Sequence, residues 1–114
     1  MGIWKRPDRT LVMKDVTDED GAMWRAVRLH GDGTFAVVGH DIGPAVEQFF
    51  GCREYEFAHA LSKNETTKLR QLLGVPRRGD LLAAVHERFA STDEIRRFLQ
   101  SHNIAGVFWN RTGD

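Results

Sequence analysis

The sequence lacks the features that several protein classes require. It contains one cysteine, Cys52, so no internal disulfide can form, which is usual for proteins of reducing compartments. No apolar run reaches the length that crosses a membrane, and residues 1–10, MGIWKRPDRT, lack the apolar core of a secretory signal peptide. We therefore expect a cytoplasmic protein with no membrane partner.

The chain also has no excess of charge of either sign. Lys and Arg together number 16, and so do Asp and Glu, which gives a formal net charge of +0 at pH 7. Binding to nucleic acid or to an anionic membrane surface usually requires a basic excess. The balance therefore predicts neither kind of partner.

No motif for catalysis, nucleotide binding or metal binding occurs with the required spacing. The acidic run at residues 18–21 does not fit a calcium loop, because aligning Gly21 with the loop glycine puts Val16 and Val27 at ligand positions. The five histidines are scattered along the chain. We predict no catalytic residue, no cofactor and no bound metal.

Two further pairings of reactive side chains are weighed and set aside. Cys52 could act with His40 or His59 as a thiol and its base, but it follows the carboxyl end of a predicted helix, where the dipole opposes a thiolate. His59 lies in the apolar register of its strand. We expect Cys52 to be structural or at the surface, and His59 to be a hydrogen-bonded core histidine.

By its length the chain forms one domain. We predict a flexible N-terminal arm at residues 1–10 and a single α+β domain at residues 11–114. Residues 11–14 carry a weak strand signal, and the acidic residues that follow them end in a turn. A clearer strand covers residues 22–30, and the glycine-rich connection after it predicts a hairpin with the next strand.

The strongest local signals lie in residues 34–61, as a strand, a short helix and a second strand. Pro44 suits the first helical position, and Gly51 can end the helix in the left-handed conformation. Val46, Phe49 and Phe50 fall on one face of this helix, which we expect to pack against the sheet. Two helical turns are short for a parallel crossover, so an antiparallel arrangement is predicted.

The second half of the chain is helical until its last strand. Ser62 or Asn64 can cap the first of three helices, Asp80 the second and Ser91 the third, and residues 104–109 are β-prone. We therefore predict an α+β fold: an antiparallel sheet of about four to five strands, a short inserted helix, and three C-terminal helices packed on one face.

Acidic residues gather in sequence around the central helix and predict a surface for a protein partner. We expect them to form an acidic rim at one sheet end, together with one tyrosine. The predicted partner-binding residues are Asp41, Glu47, Glu54, Tyr55 and Glu56. Two alternatives stay open: a small enzyme with its site around His40 and Asp41, and a homodimeric structural protein joined through an edge strand.

Four segments of the sequence carry a resemblance to known proteins: VTDEDG at 16–21, GHDIGP at 39–44, FFGCREYEF at 49–57, and the closing FWNRTGD from Phe108. Together they resemble a family of small uncharacterised bacterial proteins, some with the look of immunity proteins of toxin systems. The resemblance implies a non-catalytic binder that neutralises a toxin. It implies no functional residue for this chain.

Overall fold

The structure is a computed structural model that describes residues 6–113. Strands form the first part of this range and helices most of the second, with one strand at its end. The elements are β1 Arg9–Asp18, β2 Gly21–Leu29, β3 Phe35–Ile42, α1 Pro44–Phe50, β4 Glu54–Ala60, α2 Lys63–Leu73, α3 Leu81–Arg88, α4 Thr92–Ser101 and β5 Val107–Gly113.

The strands form one five-stranded antiparallel sheet in the order β1-β2-β3-β4-β5. The predicted α+β class and antiparallel arrangement are therefore confirmed. Each strand pairs with the next strand in sequence; α1 lies between β3 and β4, and α2, α3 and α4 lie between β4 and β5. Ala60, at the end of β4, pairs with Val107 across that helical segment.

The hairpin between β2 and β3 forms where Gly31, Asp32 and Gly33 predict it. The backbone and hydroxyl of Thr34 both donate to Asp32 Oδ1, at 3.0 and 2.7 Å. His30 N donates to Thr34 O at 2.8 Å, which closes the turn. These bonds start the pairing that continues in register along β2 and β3.

Helix α1 begins at Pro44 and ends at Gly51, which has φ 69° as predicted. The predicted packing of its aromatic residues is wrong. Val46 is buried, but Phe49 is 85% exposed and Phe50 is 53% exposed. The seven-residue helix lies at the sheet end and packs through Val46, so its next turn extends past the sheet.

Side-chain caps start the three longer helices. Ser62 Oγ accepts from Glu65 N and the Glu65 carboxylate accepts from Ser62 N, a complete capping box that supports α2. Asp80 accepts from Ala83 N to cap α3, and Ser91 caps α4. No helix within residues 6–113 is long and apolar enough to cross a membrane.

Two strand boundaries differ from those predicted from the sequence. Strand β1 begins at Arg9 and reaches Asp18, because its pairing with β2 continues past a register shift between Val12 and Lys14. Strand β5 is shifted towards the end of the chain, since residues 104–106 form the connection from α4. The predicted flexible arm at residues 1–10 lies partly outside the described residues, and its last two residues belong to β1.

One face of the sheet, the helix face, carries the main hydrophobic core. Val27, Val37 and Phe57 project from alternate positions of three strands and join side chains of α2, α3 and α4. The contributing helical residues include Leu69, Leu81, Leu82, Val85, Ile95 and Leu99.

The opposite face of the sheet, the second face, holds a smaller apolar cluster. Ala26, Ala36 and Val38 are buried there among Trp24, Ala58 and Ala60. Within residues 6–113 no helical side chain belongs to this cluster. The shortest dimension of the molecule is 22 Å, which fits two layers, one of sheet and one of helices.

Candidate functional site

A groove of about 420 Å³ lies between α1 and the adjoining ends of β1, β2 and β3. Its lining combines exposed apolar side chains with carboxylates. The apolar residues are Val16, Met23, Ile42, Val46, Phe49 and Phe50, and the acidic residues are Asp18, Asp20 and Asp41. Apart from Val46, each of the apolar residues is 38% exposed or more.

Two glycines shape this groove by letting backbone segments meet without a side chain between them. Gly21 has φ 124° and Gly43 has φ 122°, in the region that favours glycine. A Cβ on Gly43 would lie 2.7 Å from Gly21 Cα. Ala45 N also donates to Asp20 O at 3.2 Å, so the start of α1 is held against the β1–β2 turn.

The electrostatics of the groove depend on how its carboxylates are paired. Asp41 accepts two hydrogen bonds from Arg25, at 2.6 and 3.0 Å, and both side chains are about four-fifths buried. Asp18 accepts from the backbone of Asp20 at 2.8 Å. Lys14 is the one free cation among the described lining residues. The rim of the groove is therefore acidic.

The structure brings three of the five predicted partner-binding residues to α1 and the groove. Asp41 lines the groove, and Tyr55 stacks on Phe50 with 4.6 Å between ring centroids. Glu47 lies on α1, its side chain is 58% exposed, and its Oε2 is 3.8 Å from Nε of Arg53.

The other two predicted residues, Glu54 and Glu56, lie on the second face. His40 Nε2 is 2.7 Å from Glu54 Oε1 and 3.6 Å from Glu56 Oε1, and Arg111 donates to Glu56 at 3.0 Å. Successive strand residues face opposite sides, so the register of β3 with β4 divides the predicted rim between the two faces.

His40, Glu54 and Glu56 are the described residues that could hold a metal ion. Their ligand atoms lie within 4.8 Å of one another, and imidazole with carboxylates suits zinc. Each side chain is about one-third exposed. Arg111 already supplies a positive charge to Glu56, so these side chains form a polar network that includes one ion pair. The absence of a metal site stays a prediction.

The alternative enzyme site required His40 and Asp41 to act together. In the structure they project from opposite faces, His40 towards Glu54 and Asp41 towards Arg25. The described residues therefore contain no cleft that both side chains enter. Cys52 lies beside β4, where its thiol contacts Glu54 O at 3.4 Å.

His59 is the hydrogen-bonded core histidine that the sequence predicts. It is 9% exposed, and its Nε2 lies 2.6 Å from Ala105 O.

Sequence reasoning missed several residues of these surfaces. Val16 lines the groove because β1 runs to Asp18, beyond the strand predicted at residues 11–14. Met23 lies within the strand predicted at residues 22–30, and its place in the groove follows from its pairing with Asp41. Arg111 joins Glu56 only because β5 extends beyond Trp109. No alternation of apolar and polar residues indicated the longer strand, since Val107, Phe108 and Trp109 are all apolar, and its extent follows from pairing with β4.

Comparisons with protein-family models, with curated proteins and with solved structures found no significant match. The resemblance to small bacterial proteins therefore stays a prediction.

Proposed function

We propose that this chain is a non-catalytic protein-binding module whose partner occupies the groove beside α1. The observation that carries this proposal is the exposure of Phe49 and Phe50 on a helix of seven residues. Solvent-exposed aromatic rings next to further exposed apolar side chains are typical of protein interaction sites. Aromatic residues also dominate the energy of many interfaces.

The charge around the groove indicates the chemistry of the partner. Asp18 and Asp20 line the groove together with the exposed rings, Glu47 lies on α1 beside Arg53, and Asp41 is already neutralised by Arg25. A partner segment with an apolar side chain between Lys or Arg residues would complement this arrangement. Rim charges act mainly on the association rate, so binding should weaken as salt concentration rises.

The partner class that we propose is a toxin, with this chain as its cytoplasmic immunity protein. The support is the resemblance in sequence together with an acidic, aromatic groove that could cover a basic surface. Homodimerisation is the competing use of exposed apolar surface. Light scattering of the purified chain distinguishes the two, because a partner-binding module is expected to be monomeric before its partner is added.

Photo-crosslinking tests the location of the binding surface. Benzoylphenylalanine is phenylalanine with an added benzoyl group, and it can replace Phe49 with little effect on folding because that side chain is 85% exposed. Matched probes at Leu72 on α2 and Trp109 on the second face replace side chains that are 40% and 50% exposed. We expect one protein to be crosslinked in cell extract from position 49, and neither control position to give that adduct.

The crosslinked protein is then purified and titrated with the unmodified chain and with Phe49→Ser. We expect the substitution to weaken binding at least about tenfold, equivalent to 1.4 kcal/mol, while the free energy of unfolding changes by no more than about 0.5 kcal/mol. Equal affinity for both chains would contradict the proposal. An adduct formed only at position 109 would instead place the interface on the second face.

A further inference from the structure

A second cavity, of about 690 Å³, lies on the helix side of the molecule, away from the groove. It opens between α4, the connection to β5, and the neighbouring part of β4 and β5. The lining residues that matter here are His59, Asp93, Arg96, Arg97, Gln100 and Phe108.

Arg96 is held in this cavity by aromatic rings. Its guanidinium carbon lies 5.5 Å from the ring centroid of Phe57 and 5.1 Å from that of Phe108, and these rings stack with centroids 5.9 Å apart. Such contacts orient a guanidinium through its face. Within residues 6–113, Arg96 makes no hydrogen bond or ion pair, so its N–H donors remain available.

The unmet hydrogen-bonding capacity of the described residues is concentrated at this cavity. Two buried side-chain polar atoms in residues 6–113 have no partner, Arg96 Nε and His59 Nδ1, and both residues line it. His59 is 9% exposed and its Nε2–H donates to Ala105 O, so Nδ1 is the ring nitrogen without a partner among the described residues. Buried polar atoms without partners are uncommon and often mark the position of a bound group.

The remaining wall of the cavity is basic, polar and aromatic. Arg97 and Gln100 add donors beside Arg96, and Asp93 is the carboxylate among the lining residues. No ion pair of 4.0 Å or less joins Asp93 to either arginine in the described structure. Phe108 is 45% exposed and offers an apolar surface to a ligand.

We infer that this cavity binds a small organic anion. The carboxylate or phosphate of the ligand would be held by Arg96 and Arg97, and its ring or hydrocarbon part would lie against Phe108. A planar guanidinium with free donors matches a carboxylate or phosphate in two-point contact. The site is separate from the groove beside α1, and it does not depend on the protein-binding function proposed above.

Calorimetric titration with three probes tests this site. Benzoate and phenyl phosphate carry the anion and the ring, and benzamide has the shape of benzoate without its charge. We expect saturable binding of one anion per chain with Kd on the order of 1 mM, and no binding of benzamide. Nuclear magnetic resonance locates the binding site. We expect the resonances of the His59 imidazole and the Phe108 ring to shift when whichever of benzoate and phenyl phosphate binds is added.

Paired variants separate this site from general charge effects. Arg96→Met should weaken binding of the bound anion at least about tenfold, whereas Arg78→Met, an equal loss of charge at an exposed loop position, should leave it unchanged. If Arg96→Met does not fold, Arg97→Gln provides the test, with an expected loss of about threefold or more. No saturable binding of either anion to the native chain, or equal binding to the Arg96 or Arg97 variant and the Arg78 variant, would overturn the inference.

Discussion

The two faces of the sheet use the same strands in different ways. On the helix face Phe57 is 8% exposed and packs over Gly39, where a Cβ would collide with its ring. On the second face Trp109 is 50% exposed, although it lies on the neighbouring strand, paired with Ala58. Apolar character in a strand therefore does not fix its burial. The central strands still bury Ala26, Ala36 and Val38 on the second face, so burial depends on the position of the strand in the sheet as well as on the helices.

Removing one aromatic side chain from each face should give the largest difference in the free energy of unfolding. Phe57→Ala should lower the free energy of unfolding by about 3–5 kcal/mol, because it leaves a cavity in the packed core. Trp109→Ala should lower it by about 1–2 kcal/mol, since half of that side chain already contacts water. Urea denaturation of both variants measures the difference. Similar losses would show that the second face is also a packed core.

The next largest difference in the free energy of unfolding should be between loss of the largely buried pair of Arg25 and Asp41 and loss of the more exposed contact between His40 and Glu54. Asp41→Asn leaves Arg25 about four-fifths buried with a weakened partner, so we expect a loss of about 1–3 kcal/mol in the free energy of unfolding. Glu54→Gln weakens a contact with His40 that is about one-third exposed, and should cost no more than about 1 kcal/mol. Denaturation at neutral pH tests both variants. Equal losses in the free energy of unfolding would show that the pair on the helix face contributes no more to stability than the contact on the second face.

The smallest expected effect depends on pH and involves Glu65, which links α2 to Gly106 in the connection that precedes β5. Hydrogen bonds from the backbone of Ser62 and then of Gly106 lower the pKa of this carboxyl below its usual 4.5. A lowered pKa in the folded state adds stability above the unfolded pKa, and that stability is lost as pH falls through the folded value. Glu65→Gln should therefore cost about 1–2 kcal/mol at pH 7.

The cost of Glu65→Gln should shrink as the solution is acidified below the pKa of the unfolded carboxyl. Glu87→Gln serves as its control, because Glu87 is an exposed residue of α3. Stability curves from pH 7 to acid pH compare the two variants. If the free energies of unfolding of the native chain and of Glu65→Gln differed by the same amount at all pH values, the charge of Glu65 would not be what stabilises its contacts with Ser62 and Gly106.

Much of the fold could be predicted because local signals were consistent with one another. Pro44 and Gly51 delimited α1, and Asp80 and Ser91 marked helix starts through the hydrogen bonds that their side chains accept. The ends of the strands were harder to predict from the sequence. The limits of β1 and β5 depend on pairing with neighbours, and pairing is a long-range property that local propensity does not contain.

The candidate site could be predicted only in part. Acidic residues near α1 were found from their clustering, but the division of Asp41 from Glu54 and Glu56 depends on the register of β3 with β4. Phe49 was expected to pack on the sheet, because helical periodicity shows which residues share a face but not how far the sheet extends beneath it. The cavity around Arg96 joins α4 to β5, and no local pattern places those elements together.

The pairing of Ala60 with Val107 has a consequence for how the chain folds. Strands β1 to β4 are joined by short connections, so their contacts can form early and rapidly. Strand β5 must wait until a long loop closes, and loop closure of this length slows folding. Until then β4 is an unprotected edge that could accept a strand from another chain, so we expect partly folded molecules to aggregate through β4.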